Sequence, residues 1–172
     1  MTGRIGIILA VFVAVLSIAS IASATSTTCT SALKETLTTG TIVSGSANWL
    51  CYEDGTTEVL KEALSGGISH LDVNWRFDSV PAGVQSITFY GTRPSNFDTD
   101  NFQFSYNTDG GSSWTTISGA LINKTFAPAG GLTVALGLTT SSSGTIYIRL
   151  TDTANGVGLD TVNLDRVVIS TN

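Results

Sequence analysis

Chemistry in this chain of 172 residues would have to come from a sparse set of side chains, among them one histidine, two cysteines and 13 acids. His70 stands two residues before Asp72 in an alternating segment, so the two share a strand face, as a base and its orienting carboxylate would. Acyl transfer also needs a nucleophile, and no G-x-S-x-G elbow supplies a serine. Glycoside hydrolysis needs two carboxyls facing each other across roughly 5 to 10 Å. Glu35, Glu53, Asp54, Glu58 and Glu62 offer carboxyls, but solvated surface is the better account of them. Two cysteines and one distant histidine cannot complete a four-ligand zinc site. The expectation is a protein that is not an enzyme and carries no catalytic cofactor.

The N-terminus bears on the compartment. Residues 1–4 carry one positive charge, residues 5–22 are apolar or small, and Ala22-Ser23-Ala24 puts small residues where a signal peptidase cleaves. This predicts a signal peptide over 1–24, a flexible segment over 25–31 and one β domain over 32–172, placed extracellularly or at the cell surface. Residues 5–22 also approach the length that crosses a hydrocarbon core, so contact with a membrane follows only if they are retained. In an oxidising compartment Cys29 and Cys51 are expected to form a disulfide. The net charge of −5 repels phosphate backbones, which argues against nucleic acid as a partner.

The elements that must position any site are strands. Leu71, Val73, Trp75 and Phe77 alternate with His70, Asp72, Asn74 and Arg76, the period of a half-buried strand. The same pattern predicts strands over 86–92, 101–107, 114–117, 132–138, 144–152 and 161–169. Asp109-Gly110-Gly111-Ser112 supplies the glycines that a tight hairpin needs. Weaker signals predict strands over 37–43 and 57–64. By alternation Trp75 and Trp114 both point inward. Eight or so strands with no convincing helix after the N-terminal apolar segment give an all-β class: a two-sheet antiparallel β-sandwich, a jelly roll, preceded by a signal helix.

Three stretches carry a further likeness: TGTIVSGSANWLCYEDGTTEVLKE, then FQFSYNTDGGSSWTTI, then GTIYIRLTDT with LDTVNLDRVVI. In this order the chain resembles the galactose-binding-like jelly-roll modules of secreted bacterial and archaeal proteins. The resemblance implies an opening hairpin, a hairpin turning at an Asp-Gly-Gly, an inward tryptophan and an aspartate that fixes the last strand. By analogy it implies a carbohydrate-binding module, whose ligand would meet flat aromatic faces and guanidinium, carboxylate or amide groups. Outward candidates are Trp49, Tyr52, His70, Arg76, Tyr90, Arg93, Tyr147 and Arg149. Ordinary cross-strand pairing explains the same side chains, so both roles stay open. Such modules often hold a structural calcium ion, for which Asp98, Asp100, Asp152, Asp160 and Asp165, near strand ends, are the candidate ligands. The resulting expectation is a non-catalytic binding or adhesion module for a glycan or cell-envelope component. The alternative is a self-associating structural subunit of a surface layer or filament.

Overall fold

The computed structural model describes residues 26–29, 33–95, 100–123 and 131–172. The predicted signal segment lies outside them, and among the described residues no helix is long and apolar enough to cross a membrane. In chain order the strands are β1 (Ser26–Thr28), β2 (Lys34–Thr39), β3 (Thr41–Ser44), β4 (Glu58–Lys61), β5 (Ala63–Ser65), β6 (Ile68–His70) and β7 (Asp72–Val80). They continue with β8 (Gly83–Ser95), β9 (Phe102–Asn107), β10 (Thr115–Ile122), β11 (Leu132–Thr140), β12 (Gly144–Asp152) and β13 (Thr161–Thr171). A 3₁₀ turn, Ala47–Cys51, precedes β4.

Two antiparallel sheets face each other, as the sequence pattern predicts. One has the order β11-β8-β13-β4-β3, with β1 also paired to β13; the other has the order β10-β9-β12-β7-β2. A small third sheet joins β5 to β6. The core lies between the two large sheets. Val73, Trp75 and Phe77 of β7 and Ile146, Ile148 and Leu150 of β12 face Ile87 and Phe89 of β8 and Val167 and Ile169 of β13. Phe89 and Phe104 meet across the sandwich with ring centroids 4.6 Å apart and tilted by 46°. Each such side chain removed from water stabilises the fold by about 1.5–3 kcal/mol. Because inward residues alternate over residues 72–77 and 146–151, Asp72, Asn74, Arg76, Tyr147, Arg149 and Thr151 between them are placed on the outer face of the five-stranded sheet.

Two strand boundaries differ from the periodicity. Residues 37–43 do not form one strand but break at Gly40, whose φ of +113° favours glycine, and the halves β2 and β3 belong to different sheets. A Cβ at Gly40 would lie 2.6 Å from Leu71 Cδ1, so the chain crosses between sheets only where no side chain intrudes. Residues 57–64 divide at Glu62 into β4 and β5. The expected Cys29–Cys51 disulfide is present, with 5.4 Å between Cα atoms, and it ties the start of the domain to the 3₁₀ turn. Asp165 of the last strand accepts hydrogen bonds from the backbone N–H of Asp54 (3.3 Å) and Gly55 (3.0 Å), fixing β13 to the loop before β4.

Candidate functional site

Strand alternation places Asp72, Asn74 and Arg76 of β7 in one row on the outer face of the five-stranded sheet, and His70, the last residue of β6 in the small third sheet, stands two residues before that row. Register then sets Tyr147 opposite Arg76, Arg149 opposite Asn74 and Thr151 opposite Asp72. At the centre, Arg149 donates from Nε to Asp72 Oδ1 and from Nη2 to Asp72 Oδ2, both at 2.7 Å. This planar fork is the strong form of a charge-assisted pair. The hydrogen bond to Asp72, more than its charge, holds the Arg149 guanidinium above its ordinary pKa against partial desolvation. The same guanidinium lies 5.2 Å from the ring centre of Trp114, within cation–π range.

Trp114 is half-buried and stands on this outer face, so its expected inward position is not found. Strand parity does not apply to it, because it precedes β10 and is delivered by the hairpin turn after β9. That turn is built by two side chains. Asn107 Oδ1 accepts from the backbone N–H of Asp109 (2.8 Å) and Gly111 (2.9 Å), and its amide donates to Asp109 and to the Ser113 carbonyl. The Ser113 hydroxyl donates to Asp109 Oδ2 at 2.7 Å, and this bond, followed by that of Asn107, lowers the Asp109 carboxyl to a pKa of about 2. Gly110 and Gly111 turn with φ of +80° and +98°, the left-handed conformation that the Asp-Gly-Gly motif anticipates.

Two cavities open along this face and meet at Asp72 and Arg149. One, of about 330 Å³, is lined by Thr36, Thr38, Asn74, Trp114 and Tyr147 as well. The other, of about 370 Å³, continues past His70 and Thr151 to Asp152 and Asn155. His70 Nδ1 lies 3.2 Å from Asp152 Oδ2, while Asp152 Oδ1 accepts the backbone N–H of Leu71 at 2.9 Å. Farther along, Arg76 donates to Asp78 at 2.7 Å and approaches the Tyr147 ring at 6.0 Å. Thr145 also donates to Asp78, and this bond leads the effects that lower the Asp78 pKa.

Of the eight predicted ligand residues, the fold brings Arg76, Tyr147 and Arg149 onto this one face, and His70 of β6 lines the second cavity at its end. Trp49 and Tyr52 are 43% and 72% exposed around the 3₁₀ turn beside the other sheet. Tyr90 belongs to β8 of the six-stranded sheet, and Arg93 of the same strand is buried 3.9 Å from Asp160. Asp72, Asn74, Trp114, Thr36 and Thr38 complete the face. The alternation already marked Asp72 and Asn74 as outward; the two threonines depend on the pairing of β2 with β7.

Behind the second cavity an acidic cluster forms. Carboxylate oxygens of Glu62, Asp100 and Asp152 lie within 4.8 Å of one another, a span that oxygen ligands around one calcium ion occupy. Asp100 Oδ1 accepts from the backbone N–H of Thr153 (2.7 Å) and Ala154 (2.8 Å), fixing the loop after β12. Glu62 is 2% exposed; its Oε2 accepts the Asp160 N–H at 2.7 Å, and its Oε1 is buried without a hydrogen-bond partner. Burial first, then the neighbouring Asp100, Asp160 and Asp152, push the Glu62 carboxyl up to about 7. Hard oxygen donors, a buried orphan oxygen and converging negative charge fit a divalent cation. Of the predicted calcium ligands, Asp100 and Asp152 are in this cluster. Asp160 supplies its backbone N–H to Glu62 and its carboxylate faces Arg93; Asp165 is engaged by the loop before β4; Asp98 lies outside the described residues.

The architecture is a two-sheet antiparallel β-sandwich. No protein-family model matches the sequence, and no curated protein matches it. Among solved structures it is similar to an F5/8 type C domain from Bacteroides fragilis, with 11% identity and a TM-score of 0.50 over 86% of this chain and 97% of that one. A carbohydrate-binding module, CBM61, in complex with β-1,4-galactotriose aligns at 11% identity and a TM-score of 0.47, over 81% of this chain and 88% of that one. The Clostridium perfringens protein CpGH89, in complex with GlcNAc-α-1,4-galactose, aligns at 15% identity and a TM-score of 0.44, over 80% of this chain but 14% of that one. At 11% identity the likeness to the F5/8 type C domain concerns the fold alone.

Proposed function

We propose that the protein is a non-catalytic glycan-binding module outside the cytoplasm, with its ligand lying along the outer face of the five-stranded sheet across Trp114, Asp72 and Arg149. The observation that carries this reading is the Trp114–Arg149–Asp72 stack. It offers an aromatic surface beside a guanidinium and a carboxylate already locked in one geometry, so little freedom is lost when a hydroxyl-rich ligand binds. Asn74 and Tyr147 add amide and phenol groups within the same cavity. His70 hydrogen-bonds Asp152 rather than a hydroxyl nucleophile, which supports binding over hydrolysis. The disulfide fits an extracellular or cell-surface location.

The same reading includes a structural calcium ion held by Glu62, Asp100 and Asp152. Bound there, the ion supplies the positive charge that three converging carboxylates lack. Those residues then join the end of β4, the approach to β9 and the end of β12 beneath the second cavity.

A glycan array tests the proposal, with Trp114→Ala and Arg149→Ala alongside the wild-type protein. Selective binding that both variants lose supports it; no binding to any glycan or envelope fraction contradicts it. A second reading, a self-associating subunit, is favoured by β3. This uncharged edge strand exposes Ile42 (39%) and Val43 (56%), the kind of edge to which another strand can add. A strictly monomeric protein at high concentration in sedimentation contradicts that reading.

A further inference from the structure

Away from the groove, two glutamates meet inside the sandwich. Glu35 of β2 stands opposite Trp75 of β7, so both face the interior from the five-stranded sheet. Glu58 of β4 stands opposite buried Leu164 of β13 and faces the interior from the other sheet. Glu58 is fully buried, and both its carboxyl oxygens, one of Glu35 and the Trp75 indole nitrogen are shut off from water without a well-formed hydrogen bond. The Glu35 carboxyl and the Trp75 indole are nevertheless close enough to act on Glu58.

Among the described residues no cation is placed to offset the pair. The Lys34 side chain is 66% exposed and lies 3.8 Å from Asp78. Lys61 alternates with buried Leu60, and Arg76 of β7 faces outward to Asp78. On β13, Asp165 is held by the loop amides and Arg166 stands opposite Tyr90; β3 and the 3₁₀ turn carry no charge. Two carboxylates in that setting cannot both ionise at low cost, whereas one shared proton lets each accept or donate.

We infer that Glu35 and Glu58 share a proton and together form a pH-sensitive latch that fastens edge strand β2 to β4 of the opposite sheet. Among the described residues β2 pairs with β7 alone, at the edge of its sheet, and Leu37 packs against the core beside the latch. The pKa values agree in direction. Burial raises the Glu35 carboxyl, and burial followed by the Glu35 charge raises Glu58 to about 8. Losing the proton sets the two carboxylates against each other and loosens β2. Thr36 and Thr38 of β2 line the proposed groove, so release would also weaken ligand binding; that consequence rests on the function proposed above, whereas the latch is read without ligand.

The test is amide hydrogen exchange on the purified protein between pH 6 and 8.5, with each rate divided by the intrinsic rate at that pH. The protection of β2 amides is expected to fall at least tenfold while β12 amides hold theirs. Glu58→Gln is expected to abolish the β2 loss, and Glu35→Gln serves if that variant does not fold. PH-independent protection of β2 in the wild-type protein overturns the latch, as does an equal loss in a folded Gln variant. If β2 responds as expected but no glycan binds at any pH, the latch stands and the binding proposal fails.

Discussion

Removing the Cys29–Cys51 bond tests how the N-terminal segment is held. The bond closes a loop of sequence separation 22, which contains β2, β3 and most of the 3₁₀ turn. The chain-entropy relation gives about 3 kcal/mol for a loop of that length, through the freedom the unfolded chain regains. The double variant Cys29→Ala/Cys51→Ala is preferable to serine, because Cys51 is buried and a hydroxyl there would add the cost of an unpaired polar group. Urea unfolding of the variant and the wild type, followed by near-UV circular dichroism, should show a lower midpoint. With a slope near 2 kcal/mol per molar, the loss is about 1.5 M. β1 pairs with β13 over three residues only, so its amides should exchange freely in the variant. A midpoint change under 0.5 M with an unchanged slope, in units the ~3 kcal/mol figure sets, would refute the loop-entropy account.

The other predictions concern the interior and the cation. Glu58 is raised from 4.5 to about 8 in the fold, so between those values the folded chain binds a proton that the unfolded chain has released. The sign is therefore a loss of stability as pH rises, at up to a little over 1 kcal/mol per pH unit, levelling above about pH 8. Denaturation midpoints measured from pH 5 to 9 should show this decline and a flatter one in Glu58→Gln; identical profiles would contradict it. Calcium at about 100 times its dissociation constant should raise the melting temperature by roughly 5–10 °C relative to EDTA, and Glu62→Gln should remove the difference. Equal melting temperatures with and without calcium would exclude the site. A Cβ at Gly91 would lie 2.8 Å from Leu164 Cδ2 and 3.0 Å from the Asn163 carbonyl, so Gly91→Ala should cost about 1–3 kcal/mol in urea unfolding, and a neutral effect would count against this packing.

The sandwich was legible because β7 and β12 alternate over most of their length, although the pairings of β8, β11 and β13 carry register shifts. β12 spans residues 144–152 as the pattern reads, and the row from Asp72 to Arg76 faces outward as parity requires. The galactose-binding-like resemblance agrees with the observed fold. What alternation cannot see is a change of rule. Trp114 leaves a side-chain-braced turn before its strand begins, so counting parity through the hairpin turns it the wrong way. Gly40 looks like an interruption of one strand, yet its left-handed backbone moves the chain between sheets. The site was only partly legible for a related reason. Arg76, Tyr147 and Arg149 converge because β7 and β12 are neighbours, with His70 just before β7, whereas Trp49, Tyr52, Tyr90 and Arg93 share residue type but not place. Glu62, between β4 and β5, joins Asp100 and Asp152 from more than thirty positions away from either, and no local spacing announces that meeting.

The central claim is that the Trp114–Arg149–Asp72 face holds a glycan. The most direct measurement is titration calorimetry with the strongest array ligand against the wild type, Trp114→Ala, and Trp49→Ala as a control on an exposed tryptophan outside the groove. The account predicts that Trp114→Ala lowers affinity at least tenfold, about 1.4 kcal/mol, while Trp49→Ala leaves it unchanged. Affinity lost with Trp49 and kept without Trp114 would contradict it.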